Sequence, residues 1–155
     1  MSLGDGEERA NLAAMTRQLG LESGVIFLGN VSNPLPYMKR AAVLALSSTV
    51  ESLGNVLVEA MAVGLPVLAT DCPTGPREIL CNGAYGTLVP VGDSLALAKA
   101  LVAVLESGTR PAIPDEALAR FRYDHVIRRY LAVLGIKVGG EAPASLRDDG
   151  ATPET

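Results

Sequence analysis

The sequence is poor in the residues on which common catalytic and metal-binding sites depend. Its 155 residues include no tryptophan, one histidine and two cysteines. His125 has no cluster of partners in its helical pattern, and we expect it on the surface of the last helix. Cys72 and Cys81 lack zinc-site spacing and histidine companions, so we expect no metal ion. Such sparse cysteine use indicates a reducing cytoplasm rather than a disulfide-stabilised fold.

Charged residues and long apolar runs are also scarce. Charged side chains make up 19% of the chain and its net charge is −4, so we expect no broad nucleic-acid surface. Residues 41–46 and 65–69, among the longest apolar runs, fall far short of the roughly 20 residues of a membrane-spanning helix. The sequence shows neither a signal-peptide pattern nor a G-x4-G-K-[S/T] phosphate loop.

Apolar residues are plentiful, at 48% of the chain, and they fall into short runs between helical patterns. The runs predict buried strands at residues 25–28, 42–46, 66–70 and 86–89. Helices are predicted at residues 7–20, 33–40, 55–63, 78–82, 93–106 and 115–134. This alternation predicts an α/β fold, a Rossmann-like and mainly parallel sheet with helices on both faces. We expect it to occupy residues 1–136, with residues 137–155 a disordered tail.

Two glutamates flank the start of one predicted helix. Glu59 lies among apolar residues and leans toward the helix N-terminus, while Glu51 precedes the same start. Gly54 removes a side chain where backbone N–H groups face outward. Carboxylates suit sugar hydroxyls and free amides suit a phosphate, so the pattern favours a site for a ligand with both. Two plainer interpretations stay open: Glu59 is solvated or pairs with a cation such as Arg77, and Asn55 is an ordinary N-cap.

Two loops are predicted to reach the same edge of the sheet. Gly75, between two prolines in the loop at residues 71–78, allows close backbone approach to a ligand. Asn30 and Val31 follow the first predicted strand, and their backbone is placed to meet a flat base. A plain turn explains each loop equally well.

These residues resemble the signature of retaining glycosyltransferases of family 4, also called group 1. The resemblance is to the C-terminal, nucleotide-sugar-binding domain of their GT-B fold. It rests on Glu51-x7-Glu59 within ESLGNVLVEAMAVGLPVLATD, on GDGEERANLAAMTRQLGLESGVIFLGN, and on TDCPTGPREIL followed by GAYGTLVPVGD. Together these motifs extend over about residues 4–135, in the family's order.

The resemblance implies a nucleotide-diphosphate sugar as donor, transfer with retained configuration, and no bound metal or cofactor. Glu51 would be the catalytic residue that contacts the donor sugar, and Glu59 would bind the ribose hydroxyls. The other implied substrate-binding residues are Gly54, Asn55 and Val56 for the sugar and diphosphate, Leu57 beside the ribose, and Asn30 and Val31 beside the nucleobase. We add Gly75 to this set from its loop. Ser52 and Leu53 depart from the family's usual residues and leave the sugar open.

Family members carry an acceptor-binding domain and two further strands, with the Arg and Lys that bind the diphosphate, ahead of the GDG segment. Only Met1–Leu3 precede that segment here, so we expect a truncated or split enzyme that is catalytically incomplete alone. Its gap would be closed by re-pairing, self-association or a partner chain. We expect it in the cytoplasm, at the inner membrane face if an acceptor or partner holds it there. The alternative is a non-catalytic interaction or regulatory module; a flavodoxin-like receiver domain fits less well.

Overall fold

A three-stranded parallel sheet forms the centre of the computed structural model, which describes residues 1–136. Its strands lie in chain order: β1 (Leu44–Leu46), β2 (Val67–Thr70) and β3 (Thr87–Val89). Every residue of β2 is buried, as expected for a central parallel strand covered on both faces. The α/β fold and the parallel sheet predicted from the sequence are confirmed. The predicted tail, residues 137–155, lies outside the described residues.

Helices separate the three strands as predicted, while further helices precede the first strand and follow the last. The described residues form α1 (Arg9–Gln18), α2 (Leu35–Arg40), α3 (Asn55–Ala62), α4 (Pro76–Ile79), α5 (Ser94–Ser107), α6 (Asp115–Ala119) and α7 (Tyr123–Val133). A short 3-10 turn, Cys81–Gly83, follows α4. Asp93 caps α5 as predicted, since its side chain accepts the Ala96 N–H at 2.8 Å. Among residues 1–136, no helix combines the length and apolar character needed to cross a bilayer.

The core lies between the sheet and α3. Leu57, Ala60 and Met61 of α3 are at most 1% exposed and belong to one buried cluster with Val67 and Ala69 of β2. Alternate residues of a strand face opposite ways, so the rest of β2 turns toward α5 on the other face. The apolar side of α3 is therefore fixed against the sheet, and its N-terminus is held at the carboxyl end of β1.

The strand predicted at residues 25–28 is wrong, because this segment does not join the sheet. Phe27 makes only an isolated parallel bridge to Ser2, and Gly29 an isolated antiparallel bridge to Gly4. In the described part of the chain this segment forms no ladder with β1. Apolar side chains favour a strand, but a strand also needs a neighbour for its backbone groups, and here only residues 2–4 supply one.

The helical region predicted at residues 115–134 contains two helices. The structure divides it into α6 and α7, because Arg122 has an extended backbone with φ −71° and ψ 143°. No glycine or proline marks this break in the sequence. The half-buried side chain of Phe121, just before the break, packs against the core cluster under α3.

Candidate functional site

The start of α3 is an uncapped helix N-terminus at the carboxyl end of β1. Gly54 is its N-cap, in the left-handed conformation with φ 83° and ψ 50°, and no side chain caps the helix. Asn55 is therefore the first helical residue, and its interpretation as the N-cap is wrong. A helix start leaves its first amides, here those of Asn55 and Val56, without intrahelical acceptors, and such amides are the groups that bind anions at other helix N-termini.

Glu51 packs against this helix start. A Cβ on Gly54 would lie 3.3 Å from the Glu51 Cγ and also 3.3 Å from the Leu57 Cδ1. The Ser48 hydroxyl donates a hydrogen bond to Glu51 Oε2 at 3.3 Å, and the glutamate is half-buried. The side chain of Glu51 therefore lies against the N-cap of α3, while its catalytic role stays a prediction.

Glu59 lies in the next turn of α3, about 6 Å along the helix axis from Asn55. It is half-buried, and no cation of residues 1–136 lies within ion-pair distance of it. Arg77, the partner considered from the sequence, is instead bound to Asp71 through two hydrogen bonds, one of 2.9 Å from Nε. The pairing of Glu59 with Arg77 is therefore wrong.

Gly75 contacts the chain itself. It is buried with φ 85°, and a Cβ there would lie 2.5 Å from the Leu53 carbonyl oxygen. The close backbone approach predicted at Gly75 is thus made by the loop that carries Glu51. Gly75 also lines a surface cleft described below, and a ligand contact at this glycine stays a prediction.

Leu57 requires a correction as well. It is 0% exposed and belongs to the core cluster, so a direct contact with a ribose is not open to it in this structure. Its side chain lies beneath Gly54 and supports the helix start from below.

Asn30 and Val31 follow Gly29 in the segment that does not join the sheet. Asn30 is exposed and Val31 half-buried. No hydrogen bond in the described residues joins either one to α3 or to the loop before it. Their role beside a nucleobase stays a prediction.

A cleft of about 560 Å³ adjoins the Glu51 loop on the side of α4, and the loop at residues 71–78 singled out from the sequence supplies part of its lining. Ser52, Thr74, Arg77 and Arg120 are among its lining residues. The Arg120 Nη2 donates to two backbone carbonyls at the end of α4, at 2.7 and 2.9 Å, and its guanidinium lies 4.6 Å from the centre of the Phe121 ring. No local sequence signal marks this arginine, because its partners lie some 40 residues away.

Comparison with known proteins identifies a matching family and similar structures. Residues 3–122 match the family described as glycosyl transferases group 1. The lipopolysaccharide core biosynthesis glycosyltransferase LpsE of Rhizobium meliloti is 31% identical over 140 residues, which are 87% of this chain and 41% of that protein. The phosphatidyl-myo-inositol mannosyltransferase of Mycobacterium leprae is 43% identical over 121 residues, 74% of this chain and 32% of that protein.

A solved structure agrees with these relatives. The crystal structure of Anabaena HepE in complex with UDP superimposes with a TM-score of 0.72 at 30% identity, covering 86% of this chain and 39% of that one. The parallel sheet and its helices thus have the GT-B, Rossmann-like arrangement. The chain spans less than half the length of each of these three proteins.

Proposed function

The chain belongs to the glycosyl transferases group 1 family, and from this premise we propose that it is the donor-binding part of a retaining, family 4 glycosyltransferase. The donor is a nucleoside diphosphate sugar, and the reaction moves its glycosyl group to an acceptor with the anomeric configuration retained. The proposed transfer uses no bound metal or cofactor. Polysaccharide and glycan biosynthesis are the processes to which it contributes.

The observation that carries this proposal is the uncapped start of α3, against which Glu51 packs. The amides of Asn55 and Val56 are proposed to bind the diphosphate, since the helix start has no side-chain cap and the helix dipole favours negative charge there. Glu51, beside the helix start, is proposed to contact the donor sugar, and Glu59 the ribose hydroxyls. Stabilising charge on the departing diphosphate is the main electrostatic task of such a site. That HepE is solved in complex with UDP supports a nucleotide in a site of this fold.

The acceptor side is proposed to come from outside the described residues. It is a further region of a longer chain, a partner chain or a second copy, and the complete active site forms between it and the α3 start. The relatives named above include a transferase that acts on phosphatidyl-myo-inositol. We therefore extend the proposal to a cytoplasmic reaction that takes place at the membrane face when its acceptor is a lipid.

Calorimetric titration tests the donor site. UDP-glucose, GDP-mannose and ADP-glucose are titrated into the chain, each with and without EDTA, and one of them is expected to bind in both conditions. Glu59→Gln keeps the shape of the side chain but removes its charge, and should weaken that binding by about ten-fold or more. Glu106→Gln, an exposed helical glutamate on α5, is the matched control and should bind like the unsubstituted chain.

Two results separate this proposal from the non-catalytic alternative. Lack of binding to all three nucleotide sugars by the folded chain favours an interaction module that keeps only the fold. Binding that Glu59→Gln leaves unchanged would place the nucleotide elsewhere and contradict the assigned site.

A further inference from the structure

The loop that carries Glu51 is held by side chains and not by its own backbone. In the described part of the chain, residues 48–53 take part in no backbone–backbone hydrogen bond. Two threonine hydroxyls replace such bonds: Thr70 donates to the Ser48 carbonyl, and Thr74 donates to the Glu51 carbonyl. Both threonines belong to β2 or to the loop after it, so these two bonds connect the Glu51 loop to the neighbouring strand and loop.

We infer that Thr74 is a positioning residue for Glu51, an inference that rests on the donor-binding function proposed above. Its hydroxyl bonds to the carbonyl of the very residue whose carboxylate is assigned to the donor sugar. Losing the hydroxyl frees this peptide, and the carboxylate then samples positions away from the sugar. A preorganised group binds more tightly than a mobile one, because less conformational freedom is lost on binding.

The residue after Thr74 also contacts the Glu51 loop. Gly75 is packed against Leu53 so closely that a Cβ built on it would lie 2.5 Å from the Leu53 carbonyl oxygen. The hydroxyl of Thr74 therefore extends from a segment that packs directly against the Glu51 loop. The Ser48 hydroxyl, which bonds to the Glu51 carboxylate itself, completes the contacts around this side chain.

Thr74 can be tested without disturbing the core, unlike Thr70. Thr70 is 4% exposed and lies in the central strand, whereas Thr74 is exposed. Thr74→Val removes the hydroxyl at nearly constant shape, and Thr74→Ser keeps it. Thr109→Val is the matched control, since its hydroxyl also bonds to a backbone carbonyl, at 3.1 Å from the oxygen of Ser107, far along the chain from the site.

The test measures the contribution of the sugar separately from that of the nucleotide. UDP-glucose, GDP-mannose and ADP-glucose are each titrated beside the corresponding diphosphate, UDP, GDP or ADP. Thr74→Val should lower the affinity for whichever nucleotide sugar binds by about five-fold, which is the loss expected for one hydrogen bond. Affinity for its diphosphate should stay unchanged, while Thr74→Ser and Thr109→Val should match the unsubstituted chain for both ligands.

A merely structural role gives a different pattern. In that case Thr74→Val would lower the affinities for the diphosphate and the nucleotide sugar equally, or would leave both affinities unchanged. Either result overturns the inference while the donor site stands. If the unsubstituted chain binds none of the six ligands, the donor-binding function falls and the role of Thr74 falls with it.

Discussion

Gly75 is the position at which a single methyl group should have the largest effect on this fold. In Gly75→Ala, the new Cβ would lie 2.5 Å from the oxygen, 2.9 Å from the carbon and 3.2 Å from the Cα of Leu53. All three are backbone atoms, so no flexible side chain can move aside. The glycine also has φ 85° and ψ −81°, a conformation that residues with a Cβ rarely adopt.

The two effects can be estimated separately. Holding a non-glycine residue in a sparsely populated backbone region costs about 1–3 kcal/mol. Forcing an extra carbon into a packed contact costs about 1–3 kcal/mol more. We therefore expect Gly75→Ala to lower the free energy of unfolding by about 2–6 kcal/mol, a large share of the roughly 5–15 kcal/mol available to a domain.

Urea denaturation followed by far-ultraviolet circular dichroism measures this loss, since the chain has no tryptophan for fluorescence. Gly20→Ala is the matched control, because Gly20 has φ 66° but a Cβ added there would meet nothing within 4 Å. The control should lose only the conformational part, about 1–2 kcal/mol. If both variants lose the same free energy of unfolding, the contact between Gly75 and the Leu53 carbonyl is not the reason for glycine at this site.

Two further predictions concern the elements around the site and are measured by the same denaturation experiment. Asp93→Ala should lower the free energy of unfolding by about 1 kcal/mol, because it removes the hydrogen bond from the Ala96 N–H that caps α5. Asp93→Asn should retain most of this stability, since asparagine can also cap a helix. An unchanged free energy of unfolding in Asp93→Ala would contradict the role of Asp93 as the cap. Arg120→Met should cost about 2 kcal/mol, because two backbone carbonyls at the end of α4 lose a charged donor. Arg129→Met is the control, because Arg129 lies on α7 and has no such carbonyl partners among the described residues. This variant should lower the free energy of unfolding by less than about 0.5 kcal/mol. Equal losses of stability in the two variants would refute the role of Arg120.

Local patterns were enough to predict most of the fold. The apolar runs that became β1, β2 and β3 are bounded by polar or glycine-rich segments, and Asp93 has the residue type and position of a helix cap. These signals act within a few residues of each other. The pairing of strands is different, since the run at residues 25–28 has the same composition but lacks a neighbouring strand along its length.

The site was predictable in its residue types but not in its contacts. Two glutamates around a glycine indicated a helix start with carboxylates, and the structure places Glu51 there. The left-handed conformation of Gly54, which makes it the N-cap in place of Asn55, is a three-dimensional feature that the residue types did not reveal. The bond from Thr74 to Glu51 joins residues 23 positions apart, and only the parallel order of β1 and β2 brings them together.

The central claim is that a nucleoside diphosphate binds at the uncapped start of α3, and an NMR titration tests it most directly. The ¹H–¹⁵N spectrum of the chain is recorded while UDP, GDP or ADP is added. The account predicts that the amide signals of Asn55 and Val56 show the largest shifts with the diphosphate that binds. Shifts confined to the residues around Arg120, or none with any of the three, would contradict it.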